Sequence, residues 1–555
     1  MSVTDFEREH LVADVVAGTV RPARVVVRDG RIAAIEPTTG AIRPGVLVPG
    51  FVDAHVHVES SMLPPWEFAR VAMRHGTVAT VSDPHEIANV LGEPGIRFML
   101  EDIEGSPFTC WFGCPSCVPA TAFETAGARL DSAACARILD DPRIHGLSEM
   151  MNWPGAIAGD AEVLAKIAAA HARGKPVDGH APGLRGADAA AYFARGISTD
   201  HECFTLEEAL EKAGLGVRIL IREGSAARNF EALWPMLRTH PDQCMFCTDD
   251  AHPDDLLAGH IDRLLARAVG KGIDPMVALR AATLHPVRHY RMPCGLLQVG
   301  DRADMVLVDD LESFRPRTTW IAGVPVAEDG QTLVRPRTSG TPNAFVARTC
   351  TPEDFMVRAP AGSSDGARVV VHAIHATDGQ LVTGRADVPA LVRGGTIDAD
   401  PAQDLLAIAV VNRHAPAPVA VAMVRGFGLR QGAIASSVAH DCHNVVVVGA
   451  SAAAMAEAVN AVFAARGGLS AVGGDGSHAD VLPLPIAGLM SDRPAESVAA
   501  AYGRLSARAR SLGSPLRAPY MTLGFMALLV IPALKLGDRG LFDSARFAFV
   551  PPVSA

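Results

Sequence analysis

His55 and His57 stand two residues apart at the end of an apolar run, in Asp53-Ala54-His55-Val56-His57. On a strand, residues i and i+2 share a face, so both imidazoles can grip one metal ion. Other residues able to ligate a metal recur downstream, each just after a strand-like stretch: Glu149, His180, His201, and the pair Asp249 and Asp250. Singly, each has an ordinary role as a helix cap, a turn residue or a surface histidine. Together, at corresponding points of successive units, they point to one shared site. Imidazole and carboxylate donors without thiolate suit Zn²⁺, Fe²⁺ or Mn²⁺. Four His and a bridging carboxylate can hold two ions, and Asp249 can ligate one of them while taking a proton from water. A bound divalent ion brings the pKa of its water towards neutrality, which is the chemistry of a hydrolase.

Further polar groups stand beside these. Asp83-Pro84-His85-Glu86 follows a strand-like run and reads either as a solvated turn or as a support, substrate contact or extra ligand. Glu202 follows His201 directly. Glu59-Ser60-Ser61 reads as a rim loop or as a cap before Pro64-Pro65. Near the C-terminal end, His440-Asp441-Cys442-His443 precedes an apolar strand, and Gly473-Gly474-Asp475-Gly476 reads as a tight turn. The ten cysteines include C-x3-C-x2-C at Cys110, Cys114 and Cys117 and CxxC at Cys244 and Cys247, all among strand-like residues. They read as small buried hydrophobes in a reducing compartment rather than as a zinc knuckle.

Regular elements must bring these residues together. Strand-like runs occur at 46–58, 77–82, 107–113, 144–150, 176–179, 196–200, 217–221 and 244–248. Helical stretches lie between them, most clearly at 65–74, 162–173, 187–195, 206–212 and 254–269. Eight βα units predict an α/β fold with a closed (β/α)8 TIM-like barrel over 49–287, whose C-terminal rim is where active sites sit. Flanking segments 1–48 and 288–335 predict one small composite β-sandwich domain, with a hairpin at Asp29-Gly30. Residues 336–366, rich in Pro, Thr, Ser and Gly, read as a linker, and 367–555 as a C-terminal α/β or α+β domain.

Length and composition narrow the class. The chain has 555 residues, 49% apolar and 20% charged, which excludes a disordered protein. Its net charge of −11, without a basic run, disfavours nucleic acid or an anionic membrane as partner. The apolar stretch from Met521 to Leu534 is too short to span a bilayer and carries Gly524 and Pro532, so it reads as core. The charged N-terminus has no apolar signal region, which together with the cysteines predicts a cytoplasmic protein.

The motifs resemble the amidohydrolase superfamily, whose metal signature is HxH, a fourth-strand carboxylate, His, His and Asp. A closer resemblance, over nearly the whole chain, is to its adenine deaminase family. It is carried by Pro49 to Met62, Asp83-Pro84-His85-Glu86-Ile87-Ala88-Asn89-Val90, Pro115 to Thr121, Glu149-Met150-Met151-Asn152, Asp178 to Gly183 and Cys247-Thr248-Asp249-Asp250. In the C-terminal region it rests on Ser437 to Asp441 and Leu482 to Asp492. The resemblance implies conversion of adenine and water to hypoxanthine and ammonia, in purine salvage, by a Mn²⁺ or Fe²⁺ pair, with Zn²⁺ less favoured. It places one ion on His55, His57 and Asp249 and the other on His180 and His201, with Glu149 bridging. It also implies catalytic roles for Asp249, Glu149 and His201, support or substrate contact by Asp83, His85, Glu86 and Glu202, and a homodimer or higher homo-oligomer. Adenosine-type deaminases carry a Glu shortly after the fifth-strand His to protonate ring N1. Here Ala181, Pro182 and Gly183 follow His180, so the donor is Glu149, Glu202 or Glu86.

Other readings keep the barrel and change the reaction: a cyclic amidase, a deacetylase, or a deaminase of a related aminopurine. Glu149 stands where most cyclic-amide hydrolases carry a carboxylated Lys, which favours the deacetylase between the first two. A metal or redox protein without hydrolysis is a different class, which ammonia release would exclude. The nucleic-acid deaminase signature H-x-E…P-C-x-x-C is absent.

Overall fold

A computed structural model of the chain describes residues 5–225, 227–474 and 479–554. Asp475 and Gly476 of the expected glycine turn lie outside them. Strands β1 (Phe6–Asp14), β2 (Thr19–Arg28), β3 (Arg31–Pro37) and β4 (Val46–Pro49) open the chain. Asp29 and Gly30 turn β2 into β3 with φ of 49° and 73°, as a two-residue hairpin turn requires.

Sequence reading makes 46–58 one strand, but the structure cuts it at Gly50. β4 belongs to the small sheet and β5 (Phe51–Val56) begins a second one. A Cβ on Gly50 would lie 2.4 Å from Val78 Cγ1, so only glycine lets the chain pass from sheet to sheet this closely.

The second sheet continues with β6 (Thr77–Ser82), β7 (Thr109–Cys114), β8 (Ile144–Met150) and β9 (Val177–Gly179). β10 (Thr199–Asp200), β11 (Arg218–Arg222) and β12 (Cys244–Cys247) follow. Every ladder among these strands is parallel. Ser198 N–H donates to Val177 O (3.0 Å) between β9 and β10, and Asp249 N–H donates to His55 O (2.9 Å) between β12 and β5. The chain therefore forms a (β/α)8 barrel, with β5 and β12 as the closing neighbours.

The helix expected over 254–269 is two helices, Pro253–Ala258 and Ile261–Gly270. The break lets His260 turn inward, where its Nδ1 meets Thr77 Oγ1 at 2.7 Å and its Nε2 lies 3.1 Å from Asp53 Oδ2. Satisfying a buried carboxylate outweighs continuing the helix for one turn.

After the barrel, β13 (Met305–Val308), β14 (Pro316–Ile321), β15 (Val324–Glu328) and β16 (Gln331–Thr332) return to the first sheet. β13 pairs with β4, and the order becomes β16-β15-β14-β13-β4-β1-β2-β3.

The stretch 336–366 is not all linker. Phe355 is buried in the short turn Pro352–Phe355, and β17 (Val357–Arg358) joins the C-terminal sheet. Composition flagged its Pro, Ser and Gly, but two apolar residues in register suffice to dock it.

That sheet adds β18 (Arg368–His375), β19 (Gly384–Arg393), β20 (Thr396–Ile397), β21 (Leu406–Val411), β22 (Ala420–Arg425) and β23 (Ala433–Ser436). β24 (Val445–Gly449), β25 (Gly468–Val472) and β26 (Asp480–Pro483) complete it. Strand alternation divides its core: Val445 and Val447 pack under the helix Ala452–Ala464, while Val446 and Val448 join the apolar core shared with the barrel. The sheet thus lies on the barrel with its loops at the C-terminal rim. Within the Met521–Leu534 stretch, the helix Pro519–Phe525 is buried throughout, and among the described residues no helix is long and apolar enough to cross a membrane.

Candidate metal centre

β5 delivers His55 and His57 to the rim. His57 Nδ1 lies 3.1 Å from the Asp83 carbonyl oxygen, to which it donates, and this leaves Nε2 free to face inward. His57 Nε2 is 3.2 Å from His55 Nε2 and 3.2 Å from Asp249 Oδ1. Asp249 follows β12 at φ 57°, in the left-handed region that Asp tolerates better than most residues. Backbone bonds on both sides hold it there: its N–H donates to His55 O, and its carbonyl accepts from His57 N–H at 3.0 Å.

Glu149 ends β8 and touches both halves of the cluster. Its Oε1 is 3.3 Å from His57 Nε2, and its Oε2 is 2.7 Å from His180 Nδ1 and 3.1 Å from His201 Nε2. The His55 and His201 rings stack at 4.1 Å. All six of these side chains are buried. The structure thus brings together His55, His57, Glu149, His180, His201 and Asp249 in overlapping groups, such as His55 with His57 and Asp249 or His55 with Glu149 and His201, whose ligand atoms lie within 4.8 Å of one another.

The donor set fits divalent ions. It is rich in imidazole and carboxylate, has no thiolate, and leaves the buried His180 Nε2 without a hydrogen-bond partner. Burial opposes ionisation of Asp249, but the Arg222 guanidinium and the imidazoles of His57, His201 and His55 hold its carboxyl well below the usual range. Burial likewise opposes Glu149, and His180, His201 and His57 outweigh it in the same direction.

Glu202 sits beside the cluster, 3.6 Å from His201 Nε2 and 3.8 Å from His180 Nδ1. Arg222, at the end of β11, donates to both Glu202 and Asp249. No motif singled Arg222 out; the available signal was a basic residue closing the seventh strand. Its charge is spent on two carboxylates, which leaves none for an anionic substrate group. Asp53 supports β5 from below. It accepts from Thr248 N–H (3.1 Å) and Thr248 Oγ1, joining the first strand to the eighth.

The two-residue loop after β6 and the first turn of the helix His85–Leu91 lie within the site. His85 Nδ1 is 3.1 Å from Asp83 Oδ2 and 3.3 Å from Glu149 Oε1. Glu86 points to the C-terminal domain, where His440 Nδ1 (2.6 Å) and His443 Nε2 bond its two oxygens. Burial alone would raise the Glu86 carboxyl; His440, His443 and His85 instead hold it well below the usual range. Glu59 Oε1 accepts from Ile87 N–H (3.2 Å), and Ser60 Oγ donates to Asp250. Those two residues brace the rim loops.

The cysteines are free, and burial pushes the thiols of Cys110 and Cys244 up to about 12. They are packing residues.

A cavity of about 930 Å³ opens beside His180. Ser116, Met151, Asn152 and Trp153 line its barrel side, and Leu529, Val530 and Phe547 line it from the C-terminal domain. Mostly apolar walls with a few polar groups suit a flat heteroaromatic ligand.

Residues 46–326 match the model of the Amidohydrolase family, and residues 380–548 match the Adenine deaminase C-terminal domain. The chain is 55% identical to an adenine deaminase of Salinibacter ruber over 97% of both chains. It is 47% identical to an adenine deaminase of Methanosarcina mazei, over 97% of this chain and 98% of the relative.

Proposed function

The chain belongs to the amidohydrolase family and, within it, to the adenine deaminases, and from that premise we propose how its residues act on the substrate. It is a hydrolase that converts adenine and water to hypoxanthine and ammonia. His55, His57 and Asp249 would hold one divalent ion, His180 and His201 a second, and Glu149 would bridge them. Mn²⁺ or Fe²⁺ suits these hard-to-borderline donors. When bound, the ions acidify water and so supply the nucleophile.

The chain's own residues do the rest. Asp249, held ionised by Arg222, accepts a proton from the attacking water and passes it to the departing amine at C6. Addition at C6 is eased when ring N1 gains a proton, because negative charge then does not accumulate on the purine. Glu149 and Glu86 are both held as carboxylates by neighbouring imidazoles, and Glu202 is clamped by Arg222. Neither Glu149 nor Glu86 is a resident acid. The N1 proton therefore originates in water.

The observation that carries this reading is the placement of an ionised Asp249 beside four converging imidazoles, with a cavity next to His180 roomy enough to admit a purine. The ten free cysteines support a reducing, cytoplasmic setting, where adenine deamination serves purine salvage. Ammonia release is the test, from adenine, adenosine and a cyclic amide, with Mn²⁺-loaded and Fe²⁺-loaded protein. Release from adenine alone is expected. Turnover of the amide without adenine would overturn the substrate assignment.

A further inference from the structure

We propose that the seam between the barrel and the C-terminal domain holds another divalent cation, bound by His85, Glu86 and Asp441, in addition to the pair assigned above. These three buried side chains each offer a ligand atom, all within 4.8 Å of one another. His85 Nε2 lies 3.4 Å from Glu86 Oε1 and 3.9 Å from Asp441 Oδ1. Such separations are long for hydrogen bonds. The first matches the spacing of roughly 3.0–3.5 Å between atoms that share an ion at about 2.1 Å, and the second is somewhat wider.

The surroundings are those of a ligand set. His85 turns its Nδ1 to Asp83 Oδ2 at 3.1 Å, so a carboxylate orients the ring and its Nε2 lone pair faces the gap. Glu86 is fixed through both oxygens by His440 and His443. Asp441 is only 2% exposed, and its Oδ2 has no hydrogen-bond partner. A carboxyl buried in that state is costly unless something cationic meets it.

Charge gives an independent reason. Asp83, Glu149, Glu202, Asp249 and Asp250 join Glu86 and Asp441 in one buried cluster whose guanidinium is Arg222. Buried carboxylates outnumber the one guanidinium of this cluster, which favours a divalent ion between Glu86 and Asp441. The ion would join the loop after β6 to the loop between β23 and β24, coupling the C-terminal domain to the metal centre.

The test is a metal count on the full chain. Protein stripped by chelator and titrated with Mn²⁺ should bind three equivalents tightly. Crystals should show a third anomalous peak between His85, Glu86 and Asp441. Asp441→Asn should weaken that equivalent by more than the 10–100-fold typical of losing a supporting residue, and leave two peaks at the barrel centre. Two equivalents in the wild-type chain, with no peak at the seam, would overturn the proposal. It rests on the paired centre for its count alone. Loss of the two barrel peaks would sink that reading, whereas a missing third peak sinks this one.

Discussion

In the proposed mechanism Asp249 combines two demands in one residue: a carboxylate for proton transfer and a backbone at positive φ pinned between His55 and His57. Asparagine meets the second demand and fails the first. Asp249→Asn should keep the fold, with a melting temperature near that of the wild type, and lower kcat for adenine by about 10²–10⁴-fold, as loss of general acid–base catalysis does. Asp249→Ala should also lower the melting temperature, because Ala pays more for the left-handed conformation. Comparing the two melting curves separates chemistry from strain. Most of the residues that meet at this centre were legible in the sequence, because barrel topology turns each strand end into a rim position. Arg222 was not, because its pairing with Glu202 and Asp249 joins three different strands. The partnership of Glu86 with His440 and His443 was hidden for the same reason, with more than three hundred residues between them.

At the scale of elements, two positions govern how the strands present their ends. Gly50 passes the chain from the small sheet into the barrel against Val78. Gly50→Ala should cost about 1–3 kcal/mol by overpacking and displace β5, so the denaturation midpoint and the metal affinity should fall together. The helix Leu206–Gly214 carries Lys212, whose Nζ donates to Asp200, Glu208 and the Ala181 carbonyl, each at 2.6 Å. Lys212→Met leaves two buried carboxylates without their cationic partner and should destabilise by about 3–5 kcal/mol, read from chemical denaturation. Strand positions were readable from runs of β-branched residues between turn signals. The cut at Gly50 and the helix break before His260 were not, since each answers a contact that folding creates, with Val78 in one case and Asp53 in the other.

For the molecule as a whole, the joint between barrel and C-terminal domain is sensitive to acid. His252, after β12, shares a 2.6 Å hydrogen bond with Tyr502 of the helix Ala495–Ser511. Burial pushes its imidazole down to about 3; Asp255 opposes the shift and His440 adds to it. The folded state keeps His252 neutral where the unfolded chain takes up a proton. Stability is therefore complete above about pH 6.5 and falls as pH drops towards 3, by at most about 3–5 kcal/mol from this group. Melting curves between pH 7 and pH 4 should steepen in that sense, and His252→Gln should flatten them. A wild-type profile unchanged by that substitution would show that the joint is not where acid acts.

The small sheet pairs Val46 with Val308, so β4 has no partner on that edge until the chain has run through the whole barrel. During synthesis at about 5–20 residues per second, that edge waits roughly 10–50 s. The first barrel strand, which carries His55 and His57, hangs from this waiting edge. A ribosome-bound chain would thus carry the two histidines proposed as ligands long before the edge they hang from is closed, so on that proposal metal capture would follow folding of the small sheet rather than seed it.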